Sequence, residues 1–518
     1  WGIEFPEVFY NADGTVKAEP GFTIIFGNPP WEILKPDLRE FYAQFDERIE
    51  SKYSRAQAEQ RIAELDGEEP RRRADFEALN ASVGQTTTFL RGSPDYTRQG
   101  RGDPATHKLF LERMYSLLGQ DGRLGYVIPS GIYTDLGTKD LREMLLNEGS
   151  IEHLFSFSNE RFFFPSVDHR FKFCLLGARK GTQSEGFWAT FRFNPRVAVA
   201  PTELHSFLAN PENLVYMRRE SLTRFSPDSL SLMEFQTRRD YAIAEQIYDG
   251  WPLVGDDSAA LPWRIKFTRE FDMTNDRDIF NTSKQGWALY EGKMIHQYDA
   301  FYGEPIYWVD TSRGIERFGQ NRNQSPTDYR FARLAFRAIA NSTNERTLIS
   351  CIIPGNVFCG HSMYTQVGNN LKPDVQLYVQ GVLNSLTLDS IVRLRVTSNV
   401  SLFMLYQLPL PRLVAGNRYF DAIVPRAARL TCTRREFAGL WEAVMGGAWD
   451  AANAAVDPGE RQRLRDEIDG LVAHLYGLSR EDYGHILSSF PLVFPETAAG
   501  QARRAAALAA YDKVGIRD

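Results

Sequence analysis

Runs and spacings of apolar residues define the first elements. In "GFTIIFGNPPWEILKP", Gly21 to Pro36, a short apolar run reads as a buried strand that stops on Asn-Pro-Pro-Trp. From Asp37 to about Asn80 the pattern changes. Phe41, Phe45, Ile49 and Tyr53 recur every four residues among charged positions, which predicts a surface helix or helical hairpin inserted between core strands. "GQTTTFLRGSPDYTRQGRGDP" is polar and is expected to be a loop. An α/β rhythm comes next. The helix "THKLFLERMYSLLG" passes through the turn "QDG" into the strand "RLGYVIPSG". The helix "TKDLREMLLNEG", with Gly149 as its stop, leads to the strands "IEHLFSF" and "FKFCLLGARK". Strands alternating with helices predict a mostly parallel sheet covered on both faces.

After about Ser184 the text is aromatic-rich, strand-leaning and broken by Pro and Gly, with "GWPLVGDDSAALPW" as the best internal linker. Beyond Pro425 it turns to Ala, Arg and Glu, and Leu464, Ile468, Leu471 and Leu475 mark one apolar helical face. The expected boundaries are therefore 1–183, 184–424 and 425–518. Over 518 residues two to four domains are reasonable, and 43% hydrophobic with 24% charged residues is ordinary for a globular chain. No run is apolar enough for a membrane span, and no secretory signal opens the text. Cys174, Cys351, Cys359 and Cys432 form no metal spacing, so reduced thiols in a cytoplasmic setting are expected, with no metal. A net charge of −6 argues against a uniformly basic nucleic-acid coat but leaves room for a local patch. The chain opens at Trp1 without an initiator Met and reads as a piece of a longer polypeptide.

Asn-Pro-Pro-Trp at a strand's end is a turn, and it is also a set of acceptors beside an aromatic face. The exocyclic amine of adenine is a poor nucleophile because its lone pair is conjugated with the ring. Acceptors aimed at its two N–H groups draw it toward tetrahedral geometry and steer the lone pair at a sulfonium methyl. The side-chain oxygen of Asn28 and the carbonyl of Pro29 have that capacity. Prolines at 29 and 30 are rigid and bring no competing N–H, and Trp31 offers a face for stacking. Such chemistry needs positioning and electrostatics more than a strong base.

In order along the chain, "GFTIIFGNPPWE", "GRGDPATHKLFLERMYSLLGQDGRLGYVIPSGI" and "RFFFPSVDHRFKFCLLGARKG" resemble the successive motifs of N6-adenine DNA methyltransferases, in particular large restriction–modification and phage-defence proteins with an Eco57I-type methylase domain. The likeness continues through "FQTRRDYAIAEQIYD", "FDMTNDRDIF", "LYEGKMIHQYD" and "LAFRAIANSTNERTLISCIIP" to "IDGLVAHLYGL". It implies an α/β fold: part of a class I, Rossmann-like methyltransferase sheet, a mixed α+β target-recognition region and a helical tail. It also implies roles. Asn28 and Pro29 hold the amine, Trp31 stacks on the flipped base, Phe164 is a second aromatic wall (with Phe162 and Phe163 as neighbours able to take its place), and Phe110 and Asn28 touch the cofactor S-adenosyl-L-methionine. The family's acidic, glycine-rich cofactor loop, which precedes this motif, is not among the residues before Asn28. The expectation is an incomplete enzyme, inactive alone, whose partners are double-stranded DNA and a cofactor-binding segment from the same polypeptide or a partner chain. In the recognition region Arg313, Arg317, Arg322, Arg330, Arg333, Arg337 and Arg346 outnumber the nearby acids and are candidate DNA contacts, with Lys293 and His296. The competing reading is an ordinary ion-paired surface. Three rival functions stand beside this one: a nuclease using Asp278 with Glu291-Gly292-Lys293 on magnesium, a protein-glutamine methyltransferase, and a non-catalytic DNA-recognition module of a defence complex.

Overall fold

The computed structural model describes residues 1–100, 102–193, 197–258, 263–320, 325–396 and 399–515. They form two compact units, 1–238 and 239–518.

The first unit is built on a six-stranded sheet of β1 (Phe22–Gly27), β2 (Leu118–Pro129), β3 (Gly149–Ser158), β4 (Lys172–Lys180), β5 (Gly186–Arg192) and β6 (Val215–Arg218). The order is β1-β2-β4-β3-β5-β6. β1 runs parallel to β2 and β3 parallel to β5, while β4 is antiparallel to both its neighbours and β6 to β5. The expected mostly parallel sheet is thus a mixed one. The segment between β3 and β4 holds one short turn, Asn159–Arg161, and no crossover helix, and β4 returns antiparallel. Leu124, Tyr126, Ile128, Leu154, Phe157, Phe173, Leu176 and Ala178 bury their side chains along the central strands. Each large apolar side chain among them gains about 1.5–3 kcal/mol from leaving water. The helices Thr106–Leu117 and Lys139–Asn147 pack on β2 and β3. The second of these stops at Glu148, whose N–H bonds the Met144 carbonyl. Gly149 is no helix stop but the first residue of β3, where a Cβ would stand 2.1 Å from the Arg179 carbonyl oxygen.

Between β1 and β2 sits the insertion, as helices Leu38–Ala43, Arg48–Ser51, Arg55–Glu68 and Arg71–Gly92. It has its own small core of Tyr42, Ile49, Ala58, Ile62 and Leu65. The last helix runs on through "GQTTTFLRG", the first part of the expected loop. There the Thr86 and Thr88 hydroxyls donate to the carbonyls of Ser82 and Gly84 one turn back, which lets threonines sit inside a helix.

The expected boundary at 183 falls between two strands of one sheet, because β5 and β6 extend it. The one at 424 falls inside the helix Arg418–Thr431, which packs with Pro373–Leu383 and Pro458–Leu475 in the second unit. The same unit holds two four-stranded sheets. One joins Ser350–Ile353, Arg333–Arg337, Met363–Gln366 and Phe267–Thr268. The other joins Phe358–Cys359, Trp287–Tyr290, Tyr307–Val309 and Phe280–Asn281. Phe271, Ile279, Leu289, Val309, Phe318, Tyr329 and Phe358 form a core around the latter. The helical face read from Leu464, Ile468, Leu471 and Leu475 is buried as expected.

Candidate active site

β1 delivers Asn28 to the end of the sheet. Its side chain is exposed and makes no hydrogen bond among the described residues, while Pro29 is buried. The chain just beyond these two residues is stapled to the start of the helix Thr106–Leu117. The Thr106 hydroxyl donates to the Pro30 carbonyl at 2.6 Å and the Glu32 carbonyl at 3.1 Å, and its N–H also bonds Glu32. Ile33 bridges to Ala105, and the Leu34 N–H bonds the Pro104 carbonyl. Asn28 is thereby left as a free acceptor on a fixed turn.

Trp31 is half-buried, and its indole N–H donates to the Val127 carbonyl at 3.3 Å. Its ring meets Phe164 edge-on at 5.2 Å and lies parallel to Phe171 at 5.5 Å and 12°. Of the three consecutive phenylalanines, Phe164 is the one whose ring meets Trp31. Phe163 packs on Phe157 and Phe173, and Phe162 is 58% exposed with φ of +52°. Phe164 also sets its edge on Phe173 at 5.0 Å.

Asn159, fully buried, holds that wall. Its side-chain amide donates to the Phe164 and Val167 carbonyls, both at 2.8 Å, and accepts the Phe164 N–H at 2.9 Å. Its own N–H bonds the Phe171 carbonyl at 2.8 Å. Nearby, Lys172 pairs with Glu234 at 2.8 Å and lies over the Phe193 ring. Glu234 also accepts from Tyr133, whose hydroxyl contacts Ser156. Burial pushes the Glu234 carboxyl up, against the pull of the Lys172 charge. Neither Asn159 nor this cluster was singled out from the sequence. The available signal was an Asn directly after a strand, a residue type that readily bonds backbone just ahead of it.

Phe110 is 41% exposed, so the alternative of an interior packing position does not apply to it. β1 is an edge strand with Ile24 63% and Phe26 84% exposed.

In the second unit the candidate DNA cations separate sharply. Arg333 and Arg346 are corrections: both are buried, Arg333 on Glu270 at 2.7 Å and Arg346 on Asp389 at 2.8 Å, and they bind the interior together. Arg337 spends its donors on the carbonyls of Gly292 and Ile295. Arg313 and Arg317 are paired with Asp278 and Asp276 near the surface. Arg330 is exposed beside Tyr329, and Lys293 is exposed beside Glu291. The His296 ring packs on Tyr302, and burial, reinforced by Arg465, Arg337 and Arg346, lowers its pKa to about 4. Arg322 lies outside the described residues. The nuclease pattern is not assembled, since Asp278 is neutralised by Arg313 and Glu291 by Lys293.

Residues 87–163 match the model of the Eco57I restriction-modification methylase family. The first unit thus contains a segment similar to that family. It runs from the last turns of the insertion to Phe163 and leaves the Asn28 turn outside it. No curated protein matches the chain. Among solved structures, the type IIL restriction-modification enzyme MmeI in complex with DNA is 11% identical, covering 95% of this chain and 57% of that one, with a TM-score of 0.44. The type IIG restriction endonuclease BpuSI is 15% identical over 75% of this chain and 51% of its own, with a TM-score of 0.27. A class I S-adenosylmethionine-dependent methyltransferase from Listeria monocytogenes is 16% identical over 24% and 38%, with a TM-score of 0.18. The chain spans little more than half the length of the two restriction enzymes. Among the described residues, no helix is long and apolar enough to cross a membrane.

Proposed function

We propose that this chain is the base-binding and target-recognition portion of a site-specific DNA adenine-N6 methyltransferase of restriction–modification or phage-defence type. The observation that carries the reading is Asn28, exposed with unused hydrogen-bonding capacity on a turn stapled by Thr106, beside Trp31 and its wall Phe164. Asn28 Oδ1 and the Pro29 carbonyl accept the two N–H bonds of an extruded adenine, while Trp31 takes its face. The amine proton leaves after the nitrogen has become cationic, so no strong base is required beside it. S-adenosyl-L-methionine, when bound, supplies the methyl group. The residues fit it in part: Phe110 and Asn28 are accessible to it, and the remaining contacts come from a cofactor-binding segment, of the same polypeptide or a partner chain. We place that segment along β1, whose open edge and exposed Ile24 and Phe26 suit an added strand. Arg330 is the cation most open to DNA phosphates, and Arg313, Arg317 and Lys293 reach them by exchanging their carboxylate partners.

The test uses the parent reading frame, wild type beside Asn28→Ala, given S-adenosylmethionine and mixed-sequence duplex DNA, with N6-methyladenine measured in the digest. Product from wild type alone supports the reading. DNA binding without product from either protein supports a recognition module instead. Equal product from both removes Asn28 from the mechanism.

A further inference from the structure

Trp31 is asked to give a face to the incoming base, yet a ring already lies parallel to it. Phe171 stacks at 5.5 Å between centroids and 12° between planes. A flat base between two parallel rings needs two layers of carbon contact, about 7 Å between the outer planes. Centroid separation is an upper limit on plane separation, so the Trp31–Phe171 pair is closed to a base. For a base to take this face of Trp31, one of the rings must give way.

The three aromatic neighbours differ in what holds them. Trp31 is tied through its indole N–H to Val127 and packed against the cluster of Phe157, Phe173 and Val199, with Phe164 edge-on. Phe164 is held through its backbone by two hydrogen bonds to Asn159 and through its ring by edge contacts with Trp31 and Phe173. Phe171 is 39% exposed, and among the described residues its one ring–ring contact is with Trp31. Its backbone is anchored at both groups, the N–H to the Asp168 carbonyl and the carbonyl to the Asn159 N–H. The side chain is therefore free to rotate on a backbone that stays still.

Resting on the adenine pocket proposed above, we infer that Phe171 is a place-holder: it stacks on Trp31 where the extruded base will lie, and swings off when the base enters. The exchange replaces one aromatic contact by another, so the pocket stays packed and dry without a base and opens at small cost. Removing the ring removes that cost. An aromatic pair contributes enough for a roughly two- to tenfold change in affinity.

The full chain is titrated with a single-stranded oligonucleotide carrying one 2-aminopurine, whose emission falls on stacking. Wild type, Phe171→Ala, Phe171→Leu, Trp31→Ala and the double variant Phe171→Ala/Trp31→Ala are compared. Binding roughly two- to tenfold tighter in both Phe171 variants, with quenching lost whenever Trp31 is removed, is the expected result. Unchanged affinity in the Phe171 variants while Trp31→Ala loses quenching leaves the pocket standing and overturns the place-holder. Weaker binding in both Phe171 variants also overturns it, since Phe171 is then a fixed wall. Quenching that survives Trp31→Ala, or appears in no variant, takes down the pocket and the inference together.

Discussion

Asn159 is the cheapest place to dismantle the aromatic wall without touching an aromatic residue. Substitution to Ala removes two donated bonds and one accepted bond, leaving the Phe164 N–H and the Val167 carbonyl without them, while the Phe164 carbonyl keeps the Val167 N–H. Each bond contributes about 1 kcal/mol net, so three give about 3 kcal/mol, or about a hundredfold in a local opening equilibrium. Hydrogen exchange across Phe157–Phe171 in the full chain reads this directly, as about hundredfold faster exchange in Asn159→Ala. Asn159→Asp keeps the bond from the Phe164 N–H but turns two donors into a carboxylate facing two carbonyls. Burial and those carbonyls raise its folded pKa above the usual ~4. Between the unfolded and folded values the native state then holds the extra proton, so stability falls as pH rises through that window. Asn159→Asp should exchange faster at about pH 7 than at about pH 5, after correction for the intrinsic rate. Protection unchanged in Asn159→Ala, or an Asp variant indistinguishable from wild type at neutral pH, would refute the clamp.

Arg142 is fully buried and gives five hydrogen bonds to Ser229, Ile132, Asp135 and Thr138, with no carboxylate among the acceptors. Arg142→Met should cost on the order of 4 kcal/mol, seen as a lower thermal midpoint, because five hydrogen bonds are lost and the buried Ser229 carbonyl loses both of its guanidinium donors. Arg333→Met should destabilise the second unit by about 3–5 kcal/mol, because the buried Glu270 carboxylate loses its guanidinium partner, while Arg330→Ala leaves the melt unchanged and reduces the salt slope of DNA binding by about one. Burial lowers the pKa of His107 to about 4. Its unfolded value is near 6.5, so the unfolded chain gains the proton first and stability is lost as pH falls from about 6.5 toward 4. His107→Leu should flatten that slope in urea titrations at about pH 7.5 and 5; an unaltered slope assigns it to other groups.

Much of the first unit was legible because its periodicities are local. The β1 strand with its Asn28 turn, the helix after Thr106 and the strands through Lys180 all announce themselves within short stretches. The polar half of the helix ending at Gly92 did not, since its threonines are satisfied by carbonyls one turn away and show no apolar stripe. The arginines misled for a different reason. Glu270 and Asp389, which internalise Arg333 and Arg346, stand 63 and 43 residues away in sequence, so a local charge count sees an unpaired basic run. Phe171 meeting Trp31 is likewise a product of tertiary folding, created when β4 returns antiparallel beside β2.

The Ile33–Ala105 bridge closes the insertion at its root, and Tyr42, Ile49 and Ile62 give it a core it shares with no strand of the sheet. Closing a loop costs entropy that grows only with the logarithm of its length. The host sheet is therefore nearly indifferent to the helical part, Leu38–Gly92, whereas the return segment Asp95–Gln99 stays tied to Glu112 and Arg113 of the helix Thr106–Leu117. The insertion is a cassette: evolution, or an engineer, can lengthen, trim or exchange it while the turn bearing Asn28 keeps its place.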